Sequence, residues 1–242
     1  MAPPPGYAGY QPTNWTGAIK RVKGLAIAAV VLCAVAAIAQ VVSIATIGVA
    51  RDAARDYRSG RIDTDDFNQE VLTSSLGQVL AGTVTVGLAV VSIIWLYRVV
   101  SNHRSLGRSV SWSPGWAIGG WFLPPCLYVI PFLILRESFR ASDPASPPGT
   151  ETWRTGRENP LPWVWLGLFG VAQLALGIAG GFDSFGGFGA EDDELADNIL
   201  DMNVGISVAQ ALVGVASAAV WALLVRTLTQ RHTQLTGEAA VR

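Results

Sequence analysis

Four strongly apolar stretches of this chain, free of any proline-broken middle, run for more than twenty residues each without one Asp, Glu, Lys, Arg or His: 24–50, 76–96, 161–182 and 204–225. About 20 apolar residues cross the roughly 30 Å hydrocarbon layer of a bilayer as a helix, and no other element of that length satisfies its own backbone there. The four runs therefore predict four membrane spans, at about 24–50, 76–97, 161–182 and 204–225. Only 14% of the 242 residues are charged, against about 25% in soluble domains, so the chain could not coat a water-facing surface of its own size. Basic and acidic residues number 17 and 18, a balance that excludes general nucleic-acid binding.

The first run is too long, and begins too late, for a secretory signal, whose apolar core has about 7–15 residues. It is read as a retained helix behind the basic residues Lys20, Arg21 and Lys23. Residues 1–19, rich in Pro and Gly at their start, are expected to form a disordered cytosolic tail. The membrane domain is expected over 20–232, with 233–242 as a C-terminal tail. Between the first two spans, 51–75 forms a mixed-charge connection, in which Asp63 and Thr64 followed by Asp65 and Asp66 signal a helix start. Between the last two, 183–201 carries seven acids and no base and reads as a solvated loop.

The segment SPGWAIGGWFLPPCLYVIPFLILRESFRASDP, over 113–144, breaks this pattern. It contains 20 uncharged residues, 116–135, enough for a span. Yet Pro124 and Pro125 fall near its middle and Pro131 follows. Proline removes a backbone donor and clashes with the preceding turn, so two short helices meeting near Pro124 are expected. Pro114 sets the start of the first, and Trp116 and Trp121 anchor it at an interface. The expected fold is thus an all-α bundle of four spans plus a re-entrant or interfacial broken hairpin over 114–141. Five spans are the alternative. Cytoplasmic loops collect Lys and Arg, and the four-span arrangement puts thirteen basic residues inside against Arg51, Arg55, Arg58 and Arg61 outside. Both termini are then cytoplasmic.

From Asn102 through Ser113-Pro114, GWAIGGWFLPP and Pro131 to RESFRASDP, the chain resembles an uncharacterised actinobacterial membrane family known only as a domain of unknown function. The resemblance covers about 20–232. It implies a multi-span bundle in a plasma membrane, and it supplies no activity, substrate or catalytic residue.

The residues themselves point away from catalysis. No span carries an ionisable group of the kind that marks proton relays and ion paths. There is no zinc-peptidase motif, no paired intramembrane carboxylates and no nucleophile elbow. Cys33 and Cys126 sit in apolar surroundings and are expected to be inert. No cofactor or metal set is expected, although Glu191, Asp192, Asp193 and Glu194 form an acidic cluster without calcium-loop spacing. Gln40, Gln173 and Gln210 either bond between helices or line a path. Small residues four apart (Gly177 and Gly181, Gly205 and Ala209, Gly214 and Ala218) predict close helix contacts within the chain or between copies. His103, beside Asn102 in SNHRS, either sits at a solvated helix end or grips a lipid headgroup.

The candidate functional element is accordingly Asn102, His103, Pro114, Trp116, Trp121, Pro124, Pro125 and Pro131. The expected function is that of a non-enzymatic scaffold or accessory subunit. A small permeation or lipid-handling protein is the alternative, and a membrane enzyme acting on headgroups near His103 the third reading. Membrane lipids, and protein partners or further copies of the chain, are the expected partners.

Overall fold

A computed structural model describes residues 18–123, 128–180 and 191–238. Of these, 78% are helical, and no strand occurs among them. In chain order the helices are α1 (Lys23–Arg58), α2 (Thr64–Ser105), α3 (Trp116–Gly119), α4 (Val129–Ala141), α5 (Leu161–Ala179), α6 (Asp192–Asp201) and α7 (Val204–Thr236), with a 3₁₀ turn at Thr152–Thr155. The middle of α5, Leu166–Ala172, is π-helical. The four-span expectation holds, since α1, α2, α5 and α7 are long and apolar enough to cross a membrane. At most 28% of the apolar window of any of them is buried inside the protein, so most of each apolar surface needs an apolar surrounding other than the chain itself.

Three of these helices outrun their apolar stretches. At 1.5 Å per residue the 42 residues of α2 extend about 63 Å, roughly twice the hydrocarbon thickness. The apolar run of α2 ends at Leu96, and that of α7 at Val225. His103 and His232 each lie about two helical turns further on, outside the spans. The 233–236 stretch, read from sequence as tail, is still helix.

The chain divides into two compact units. One comprises Ile27–Ser92 and Pro160–Val225. Within it the indole N–H of Trp221 (α7) donates to Ser92 Oγ (α2) at 3.0 Å, and the rings of Trp165 (α5) and Trp221 lie 5.2 Å apart. Gly214 of α7 approaches both Gln40 and Gln173, and a Cβ there would stand 3.4 Å from each side chain. Gln173 in turn donates to the Gln210 carbonyl at 3.2 Å. The glutamines therefore serve helix packing. A side chain at Gly177 meets no described atom within 4 Å, so the expected close helix contact is found at Gly214 and not at Gly177. Gly181 lies outside the described residues.

The same unit corrects the reading of 183–201 as a loop. Residues Asp192–Asp201 form a helix whose Ala196 is buried in a small core with Ala53, Ala54 and Phe67, flanked by Tyr57, Leu195 and Ile199. The charged connection after the first span contributes to this core, because α1 continues helical to Arg58. Arg58 pairs with Asp193 at 3.0 Å and Asp197 at 2.6 Å, and Arg51 donates to the Leu200 carbonyl at 2.9 Å. At the start of α2, Asp63 accepts the Asp66 N–H at 2.9 Å, the capping bond its position predicts.

The other unit comprises Ile93–Asn159 together with Met1–Ala26 and Arg226–Arg242, of which 1–17 and 239–242 lie outside the described residues. Here the expected break in the apolar segment is seen as two separate helices, α3 and α4. Pro124, Pro125 and Cys126 lie outside the described residues. Pro131 does not interrupt a helix. It sits buried in the first turn of α4, where no intrahelical donor is required. Gly120 follows α3, and a Cβ there would stand 2.5 Å from Ile130 Cγ2. The chain closes on itself at that point because glycine has no side chain.

Candidate functional site

The residues with chemical potential converge in the second of these units, around the end of α2. That helix ends in a Schellman turn. Gly107, at φ 69°, donates to the Arg104 carbonyl, and Arg108 donates from its backbone to the His103 carbonyl, both at 3.0 Å. Only glycine adopts this left-handed conformation without strain, which is why the helix stops here. The turn carries the Arg108 side chain inward. Its guanidinium donates to the carbonyls of Ala141, of Asp143 at 3.3 Å and of Ser146 at 2.6 Å. These carbonyls close the C-terminal end of α4, where the helix dipole is negative and welcomes a cation. Arg108 is a buried charge neutralised by peptide dipoles.

Beyond that arginine stands a chain of polar side chains, all completely buried: Asn102, His103, Ser142 and His232. Donor and acceptor roles follow from the backbone. Asn102 Oδ1 accepts the Lys20 N–H and its Nδ2 donates to the Lys20 carbonyl, both at 2.8 Å. The amide orientation is thereby fixed, so Nδ2 also donates to His232 Nε2, 3.0 Å away. A neutral His232 then holds its proton on Nδ1 and donates to Ser142 Oγ at 3.3 Å. The hydroxyl donates onward to His103 Nε2 at 3.4 Å. His103 Nδ1, the end of the relay, has no acceptor among the described residues. The two rings meet edge to face at 5.0 Å.

Both imidazoles are held neutral. Burial pushes His103 well below the usual histidine range, with His232 and Arg108 adding repulsion. Burial and the Arg108 charge bring His232 down to about 4. Two further side-chain pairs lie in the same unit, with Trp95 Nε1 donating to Thr229 at 3.0 Å and Asp143 pairing with Arg231 at 3.5 Å.

A serine between two imidazoles has the composition of a nucleophile with its base. With none of the four side chains exposed, however, this group is an internal tie. His103, expected at a solvated helix end or on a headgroup, is neither. Of the residues singled out from sequence, the structure places Asn102 and His103 in one relay, linked through His232 and Ser142. Ser142, Arg108 and His232 were missed. The available signal was that the chain has two histidines, each seven residues beyond an apolar run.

The Trp–Pro segment sits differently. Pro114 lies in a turn whose carbonyl accepts the Ala117 N–H at 3.1 Å, leading into α3. Trp116 packs edge-on against Trp112 at 5.9 Å and is 41% exposed, while Phe122 is 68% exposed. Ile118, Leu123 and Val129 are also exposed. Trp121 is half-buried. Among the described residues no group of three or more His, Cys, Asp or Glu could hold a metal.

Compared with known families, residues 58–230 match the model of a domain of unknown function, DUF4328. No curated protein and no solved structure matches the chain significantly.

Proposed function

The chain belongs to the DUF4328 family, and from its own residues we propose that it is a non-enzymatic scaffold or accessory subunit of the plasma membrane. On this reading four spans anchor it, both termini are cytoplasmic, and it works through binding. Its partners are the surrounding lipids and a protein or a further copy of the chain. The observation that carries the proposal is the closure of the polar cluster: Ser142, His103 and His232 are fully buried and bonded to one another. The only histidines in the sequence hold the fold together. Support also comes from α3 and its exit, which hold Trp116, Ile118, Phe122 and Leu123 exposed on a segment outside the four spans. Exposed aromatic and aliphatic groups gathered in this way mark interaction surfaces. The permeation alternative loses support from Gln40 and Gln173, which pack against Gly214.

The test is a double variant, Trp116→Ser with Phe122→Ser, purified from native membrane beside the parent chain. We expect unchanged abundance and melting temperature together with loss of a stoichiometric co-purifying protein. An unchanged set of co-purifying molecules overturns the proposal.

A further inference from the structure

Helix α4 has two chemically different faces. One faces the buried cluster through Ser138 and the cap residue Ser142. On the other, Arg136 and Arg140 stand four residues apart, so their guanidiniums share one side of the helix. They line a pocket of about 220 Å³ whose far wall includes Trp112, Trp153 and Arg154. That is smaller than the roughly 300–1,000 Å³ of sites for drug-sized ligands. It suits a compact group.

We propose that the Arg136–Arg140 pair beside this pocket is a seat for a phosphate-bearing anion, and that the carboxylate of Glu158, which is not itself part of the pocket lining, occupies the pair in the anion's absence. Arg136 donates to Glu158 Oε1 through Nε at 3.0 Å and through Nη2. Arg140 donates to the same oxygen through Nη2. Two guanidiniums thus converge on one carboxylate oxygen. A phosphate monoester carries up to two negative charges and three acceptor oxygens, which matches two planar forks better than a carboxylate does.

The other carboxylates nearby are engaged elsewhere. Glu137, which lines the pocket, has one carboxylate oxygen accepting the Ser111 N–H at 2.8 Å, and Glu151 pairs with Arg154. Glu158 is the acid shared by both arginines, and its side chain is 36% exposed, so it can swing into water when an anion arrives. Two buried donors here also lack acceptors among the described residues, the indole N–H of Trp153 and Nε–H of Arg140. Trp153 is almost wholly buried and lines the pocket, with Arg154 over its ring at 5.0 Å. An anion in the seat brings acceptors to a site that now has a surplus of donors. The phosphate belongs either to a lipid headgroup or to a soluble phosphate compound. This inference is independent of the scaffold reading.

The full chain in detergent is titrated with inorganic phosphate and with dihexanoyl phosphatidic acid, using dihexanoyl glycerol as the phosphate-free control and tryptophan fluorescence as the readout. Glu158→Gln should bind at least about threefold more tightly, because it loses the competing charge. Arg136→Gln with Arg140→Gln should bind at least about tenfold more weakly. Preference for phosphatidic acid assigns the seat to a headgroup, and preference for inorganic phosphate to a soluble ligand; either supports the proposal. Gain of binding in Glu158→Gln cannot come from misfolding. Equal affinities in all three proteins, absence of binding to either phosphate, or equal binding of the glycerol control overturns the proposal.

Discussion

The side-chain amide of Asn102 donates to Nε2 of His232 across 3.0 Å, joining residues 130 positions apart. Because the same amide is oriented by both backbone groups of Lys20, three distant segments meet at one side chain. The tautomer of His232, and through Ser142 the donor order of the whole relay, is set by that contact.

The first prediction concerns acid. Both histidines are held below the ordinary histidine value when folded, whereas the unfolded chain titrates near 6.5. Below about 6.5 the unfolded state therefore binds more protons, and stability falls with falling pH. For His232 the loss accumulates down to its folded value of about 4. Each histidine contributes a slope approaching about 1.4 kcal/mol per pH unit. Melting temperatures between pH 7.5 and 5, a window above most carboxylate titration, should drop steadily. His232→Asn should show a shallower slope, and an identical slope would refute the assignment.

Arg108 should be among the least replaceable residues. Its loss leaves the carbonyls of Ala141, Asp143 and Ser146 without their buried donor, and each such loss costs about 1–3 kcal/mol. Arg108→Met should destabilise the protein by at least about 2 kcal/mol in denaturant titrations. Arg108→Lys should recover only part, since an ammonium lacks the fork that reaches several carbonyls at once.

Two glycines of matched helical context should behave oppositely. Gly214→Leu forces a side chain against Gln40 and Gln173 and should cost about 1–3 kcal/mol. Gly177→Leu enters open space and should stay within about 0.5 kcal/mol. The change in helix propensity is shared by both, so the difference between the two melting temperatures reports packing alone.

The orientation in the membrane is checked with single cysteines in a background lacking Cys33 and Cys126. Ser59 and Thr155 are both exposed. An impermeant thiol reagent applied to intact cells should label Ser59→Cys and leave Thr155→Cys unmodified. Labelling at 155 would favour five spans.

The four spans were legible because no charge interrupts them, and a hydrocarbon solvent tolerates little ambiguity at that length. Helix α6 was hidden by its seven-acid surroundings, although Leu195 and Ile199 are spaced to share a face. What buries them, Ala53, Ala54 and Phe67, comes from more than a hundred residues away. The polar relay was illegible for the same reason. Asn102 and His103 drew notice as neighbours in sequence, but Ser142 and His232 acquire meaning only when α2, α4 and α7 are brought together. Pro131 misled differently: a proline that disrupts a helix interior is innocuous in a first turn.

One contact bears on how the chain is made. The backbone amides at the start of α1, of Lys23 and of Val22 just before it, are capped by the carboxylate of Glu238 at 3.1–3.2 Å. Helix starts leave such amides bare unless an acceptor is supplied. A ribosome delivers Val22 more than two hundred residues before Glu238, so the first helix begins life uncapped and acquires its cap only once Glu238 has been made. A nascent chain cut short before Glu238 would carry an unfinished first helix, and its N-terminal segment should be the part that proteases find.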